Sequence, residues 1–218
     1  MVHKRDGLMP TQLNALRAKS IEHSPLYSQC YSLSSLDKVD DVLTAFGLQK
    51  YDILDSLLIG NNVQKNLSSD LEKHSSITPK IFITKNLDQY KSWIGRDDTG
   101  VEDTPWVLPT ALWNDRKISV VNELTPEEVE NVEKAGRVYI FGNSALVRSY
   151  REIIEFCNAP FEVAVYAARK VIIKPGGSLI VSGIPAILLF EELEIHSLGN
   201  LAIYTVCHAK IGTLQKIK

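Results

Sequence analysis

Apolar and polar positions follow two periods along this chain, a helical one early and a strand-like one late. Residues 11–23 carry Leu13, Leu16, Ala18 and Ile21 at loose helical spacing, and Pro25 stops the run. Leu36, Val39, Val42, Leu43 and Phe46 share one helical face, with Ser34 or Ser35 as a cap and Gly47 just past the end. Residues 51–58 predict a third helix, closed by Gly60-Asn61-Asn62, and residues 64–76 are polar and predict exposed surface. Together these predict a helical N-terminal region over residues 1–76.

Residues 77–160 predict a mixed connecting region. Residues 80–84 and 117–121 read as strands, and Asp97-Asp98-Thr99-Gly100 reads as a turn. The clearest helix start is Thr125-Pro126-Glu127-Glu128, with Thr125 as cap, Pro126 at the first helical position and Glu128 completing a capping box. That helix is expected to end near Ala135, at Gly136, with a strand over 137–142. Leu146, Tyr150, Ile153 and Ile154 then fit helical spacing, with Ser144 as a cap.

Residues 161–218 change character. Ile173, Ile195 and Ile217 recur every 22 residues. The same offset relates Leu179 to Leu201, Val181 to Ile203, Val171 to Leu193 and Gly177 to Gly199. It also aligns Val165 with Ile187 and Ala209, and Ala167 with Leu189 and Ile211. Within each unit apolar residues alternate, as half-buried strands require. Gly176-Gly177 and Leu198-Gly199-Asn200 supply corners. A fixed period of strands and corners predicts stacked coils that bury their inner faces only against one another. The offset places Arg169 over Glu191, Lys170 over Glu192 and Glu194 over Lys216, so outer neighbours carry opposite charge. One departure stands out: Gln215 falls where Val171 and Leu193 fall, with Leu214 beside it, which predicts a slipped last coil. Lys216 and Lys218 on that strand discourage edge-to-edge stacking.

The fold expected is therefore α+β: a helical N-terminal region followed by a short parallel β-solenoid (β-helix) with helical insertions. The coils occupy residues 161–218 and are continuous with the preceding region.

Composition narrows the function classes. The net charge of −2 and the absence of a basic patch interleaved with aromatics argue against nucleic-acid recognition. Cys30, Cys157 and Cys207 are odd in number and widely spaced, so they predict neither a disulfide framework nor a metal knuckle. The longest apolar run, residues 184–190, is far too short to span a bilayer. The charged N-terminus has no apolar run behind it, which predicts a cytoplasmic protein or one exported without a classical signal peptide.

Few residues suggest chemistry. Glu192, Glu194 and His196 alternate on one strand face and could form a metal or acid–base cluster, but the charge ladder accounts for them as an outer face with lysines on both sides of His196. Phe141-Gly142-Asn143-Ser144 stands between an expected strand and helix but lacks the glycine spacing of a phosphate loop. Ser182-Gly183 and Thr205 fall at corners, with no nucleophile elbow. Cys207 and His208 are adjacent, so on a strand they face opposite ways and make a poor dyad. Cys157 reads as a structural cysteine. His3, His23 and His74 carry no ligand spacing, and Trp93, Trp106 and Trp113 read as packing residues near a junction. No catalytic residue, metal or cofactor is expected. The expected function is a non-enzymatic interaction or self-assembly protein with a protein partner. The alternatives are an effector or toxin component that binds a host surface, glycan or membrane, and a carbohydrate-active enzyme.

Overall fold

The computed structural model describes residues 31–35, 46–48, 53–70, 72–94, 123–158 and 160–218. The helix expected over 11–23, residues 36–45 of the one expected over 36–46, the strand over 117–121, the turn at 97–100, and Cys30, His3, His23, Trp106 and Trp113 lie outside these residues. Gly47, the expected end residue, has the left-handed φ of 63°.

The chain is mixed α/β, built on parallel strands. Among the described residues its strands are β1 (Tyr31–Ser35), β2 (Leu54–Ile59), β3 (Gln64–Ser68), β4 (Lys80–Ile83), β5 (Glu162–Ile173), β6 (Ser178–Ser182), β7 (Ala186–Ile195), β8 (Asn200–Ile203) and β9 (Cys207–Lys216). Among the described residues the α-helices are α1 (Leu87–Trp93), α2 (Pro126–Phe141) and α3 (Arg151–Asn158), with a 3₁₀ helix at Ser144–Tyr150. One sheet has the order β1-β9-β7-β5-β2, with β4 also on β5, and the other has the order β3-β6-β8. From β5 to β9 the chain alternates between the sheets, completing a circuit each time. Two compact units result: residues 1–82 with 162–218, and residues 83–161.

The register carries the expected period. β5 pairs with β7 from Ala164↔Ala186 to Ile173↔Ile195, and β6 with β8 from Ser178↔Asn200 to Val181↔Ile203, each at an offset of 22. β2 pairs with β5 and β3 with β6 at a single offset of 114, as in Leu54↔Ala168 and Gln64↔Ser178. The first circuit is thus equivalent to the later ones, with 92 further residues placed between β3 and β5. Residues 54–58, part of the helix expected over 51–58, belong instead to β2, and residues 64–68, expected as exposed surface, bury Leu67 and Ser68. Pairing with β5 and β6 decides both cases, since tertiary burial outweighs local propensity.

The inner core consists of Ala164, Tyr166, Ala168, Val171 and Ile173 on β5, matched by Ala186, Leu188, Phe190 and Leu193 on β7. The spacing is two, then three, then two. Each long strand therefore bends once, and two consecutive residues leave the core there: Arg169 and Lys170 on β5, Glu191 and Glu192 on β7.

The last strand is slipped, as the departure at Gln215 predicts. β7 pairs with β9 at an offset of 21, from Ala186↔Cys207 to Ile195↔Lys216. The cause is a corner shortened by one residue: Tyr204-Thr205-Val206 replaces Ser182-Gly183-Ile184-Pro185. Ala209 accordingly meets Leu188, Ile211 meets Phe190, and Leu214 meets Leu193. The inner ladder reads Ile59, Ile173, Ile195, Lys216, and Ile217 lies beyond it. Ile59 and Ile173 are fully buried, whereas Ile195 is only partly so.

The second unit begins and ends at one hydrogen-bonded pair. The Thr84 N–H and hydroxyl both donate to the Phe161 carbonyl (2.9 and 3.2 Å), and the Phe161 N–H donates to Thr84 Oγ1 (3.3 Å). Tyr90 packs edge-on against Phe161, centroids 5.3 Å apart. α2 starts as expected, with the capping box of Thr125 and Glu128 formed in both directions. It runs past Gly136 to Phe141, where a strand was expected over 137–142. Val132, Ala135, Val138 and Tyr139 are buried at helical spacing, and Gly136 lies against Ile154. That burial offsets the roughly 1 kcal/mol cost of glycine inside a helix.

Candidate functional site

The outer face of the bend carries the charge ladder. Arg169 Nη1 lies 2.7 Å from Glu191 Oε1, and Lys170 Nζ lies 3.0 Å from Glu192 Oε1, as the period predicts. Arg169 also reaches Asp55 on β2 at 3.7 Å. Glu194, expected over Lys216, instead takes Lys170 Nζ at 3.2 Å, because the shortened corner sets Gln215 beside it. Its other oxygen lies 2.8 Å from His196 Nε2, which in turn is 3.3 Å from Lys174 Nζ. One Nε2 proton serves one partner, and the shorter, charge-assisted contact to Glu194 claims it. The Lys170 hydrogen bond, foremost, and the His196 one hold the Glu194 carboxyl below its ordinary range. Lys170 thus bridges Glu192 and Glu194, in the space a cation would need.

The other candidates resolve individually. Cys207 belongs to the inner core, and burial pushes its thiol up to about 12, away from thiolate reactivity. His208 is also fully buried and lies outside that core cluster, as the alternation of the strand requires. Cys157 is buried on α3, Trp93 is partly buried at the end of α1, and His74 is exposed. Phe141-Gly142-Asn143-Ser144 follows a helix rather than a strand: the Gly142 N–H closes α2 on the Val138 carbonyl, and Asn143, not Ser144, caps the 3₁₀ turn through the Ala145 N–H. Gly183 and Thr205 occupy equivalent corners, where the Thr205 hydroxyl donates to the Gly183 carbonyl at 2.9 Å.

The other set of corners is built alike in every circuit. Gly60-Asn61-Asn62-Val63, Lys174-Pro175-Gly176-Gly177 and His196-Ser197-Leu198-Gly199 each close by a bond from the fourth N–H to the first carbonyl, at 3.2, 2.8 and 2.9 Å. The third residue is left-handed in each: Asn62 at 57°, Gly176 at 68° and Leu198 at 60°. This is the geometry of a type II turn, which favours glycine or asparagine there. Gly177 and Gly199 are equivalent, as expected, and neither has room for a Cβ, which would lie 2.9 Å from a carbonyl oxygen in each case. Leu198 is the exception among the three. It is a bulky residue at a strained φ, and it is 88% exposed.

Leu198 stands where two edges meet. Among the described residues β8 has a strand neighbour on one side only, and the cover of β9 by β1 runs from Cys207 to Ile211. Residues 212–216 of β9 are exposed, including Leu214 at 45%, and Tyr204 is exposed at the far end of β8. β9 runs back to the Leu198 corner, where the Ile217 N–H donates to the Ile195 carbonyl at 2.9 Å. Sequence reasoning missed Leu198 as special. The signal was present in its alignment with Gly176, since a position filled by glycine in one corner is left-handed in the next.

Compared with known proteins, the chain matches no family model, no curated protein and no solved structure. Among the described residues no helix is long and apolar enough to cross a membrane, and no three metal-ligating side chains cluster.

Proposed function

We propose that the circuits are coils of a short parallel β-solenoid and that the protein is a non-enzymatic interaction module whose partner is another polypeptide. The reading rests above all on one observation. Beside a well-paired stack, β8 and residues 212–216 of β9 present backbone edges that no strand among the described residues covers, and the apolar side chains of Leu198, Tyr204 and Leu214 stand exposed along them. Unpaired strand edges add strands from other chains. The offset of 22 that β5–β7 shares with β6–β8, together with inner ladders such as Leu57-Val171-Leu193-Leu214, supports the solenoid.

The test is selection of a random extended-peptide library on the purified chain, run beside a glycan-turnover panel. Peptides should be enriched that compete with one another and lose binding to Leu214→Asp. Failure to enrich any peptide, enrichment indifferent to Leu214→Asp, or steady glycan turnover would overturn the proposal.

A further inference from the structure

Three features of the edge at Leu198 point to one class of occupant, and this inference rests on the interaction reading above. The first is charge. Residues 196–218 contain Lys210, Lys216 and Lys218 and no aspartate or glutamate, whereas β7 just before them carries Glu191, Glu192 and Glu194. The second is placement. Lys216 occupies the inward ladder position held by Ile59, Ile173 and Ile195, two residues from the inward Leu214. A neutral strand laid on β9 would cover this ammonium without a counter-charge, which is costly. A strand that fits must set an apolar side chain over Leu214 and a carboxylate over Lys216.

The third is the backbone at the corner. The Asn62 N–H donates to the Pro175 carbonyl of the next circuit at 3.1 Å, and the Gly176 N–H to that of Ser197 at 3.3 Å. Among the described residues no carbonyl takes the Leu198 N–H. The corner therefore offers a donor where the two before it are satisfied by a neighbouring chain segment. It also keeps a leucine where asparagine and glycine serve without strain, and retained strain of this kind is characteristic of binding sites.

We propose that this edge docks an extended acidic segment of a partner protein. The segment pairs as a strand beside β9, places glutamate or aspartate over Lys216 and buries Leu198 as its anchor.

The experiment uses the full chain and two labelled peptides, read by fluorescence anisotropy. One repeats Thr-Val-Thr-Glu, which puts valine and glutamate two residues apart on one strand face. The other has lysine at each glutamate position. The glutamate peptide should bind at least tenfold more tightly, with the preference shrinking as salt rises. Leu198→Gly, which keeps the corner's backbone, should weaken it about tenfold, and Lys216→Glu should invert the preference. Equal binding of the two peptides, no binding of either, or indifference to Leu198→Gly would overturn the proposal. So would displacement of the glutamate peptide by phosphatidylserine vesicles, which identifies a lipid surface. A dimer by light scattering that Leu198→Gly dissolves would also overturn it and identify a second copy. If the library selection yields edge-binding peptides without acidic residues, this inference fails while the interaction reading stands.

Discussion

Leu198 follows Gly176 by 22 residues and holds the same left-handed backbone, φ 60° against 68°. For leucine that conformation costs about 1–2 kcal/mol, whereas glycine and asparagine adopt it readily. Replacing Leu198 with asparagine, the residue of the first corner, should therefore raise stability by roughly 1 kcal/mol. Urea titration should move the midpoint up with an unchanged slope. A leucine at Gly176 would meet the same strain, since its φ of 68° is left-handed, and a Cβ there would also push the Asn62 side chain aside, so Gly176→Leu should lower the midpoint.

The inner ladder predicts a gradient. Ile173 has an isoleucine on each side and is fully buried, so Ile173→Ala should cost about 2–5 kcal/mol. Ile195 has Lys216 on one side and is partly exposed, so its truncation should cost less. Ile217→Ala should change little, within about 0.5 kcal/mol. Three melting curves check the order, and equal costs would contradict the one-residue shift of β9.

Protonation of Glu194 provides a pH test. Its carboxyl is held below the ordinary range chiefly by Lys170, so in the acidic window the folded chain binds fewer protons than the unfolded one. Stability from this group is present above the ordinary carboxylate range and is lost as pH falls through the folded value. Lys170→Met should return the Glu194 titration, followed by carboxyl-carbon NMR, toward the ordinary range.

Cys207 should be silent toward thiol reagents in the folded chain. With Cys30 and Cys157 changed to serine, labelling should proceed only through unfolding and should accelerate in urea with the unfolded fraction. Rapid stoichiometric labelling of the native chain would contradict its burial in the core.

The repeat was legible in the sequence where the same offset governs both sheets. It gave the pairing of β5 with β7 and of β6 with β8, and the two ion pairs of Arg169 and Lys170. It failed in two places for physical reasons. Leu54 to Ile59 belongs to the same stack, but its partner lies 114 residues away, so no short period reveals it. Gln215 signalled that the last strand slips, but not how: a one-residue deletion at Tyr204-Thr205-Val206 shifts every later contact and puts Lys216 rather than Ile217 under the isoleucine ladder. The bend was hidden as well, because two outward residues in succession break the alternation by which strands are read. At the candidate edge the sequence located the corner, but not the backbone angle that singles out Leu198.

The hydrogen-bonded pair Thr84 and Phe161 at the mouth of the long excursion has a consequence for synthesis. At about 5–20 residues per second, the ribosome needs roughly 5–20 s to deliver the 93 residues that separate β3 from β5. Throughout that delay β2 and β3 exist as nascent strands whose partner has not been made. β1 waits longer, since Tyr31 pairs with Cys207. Closing the neck of the excursion first would bring the distant halves of the chain within reach, turning a slow search across 114 residues into one across a few.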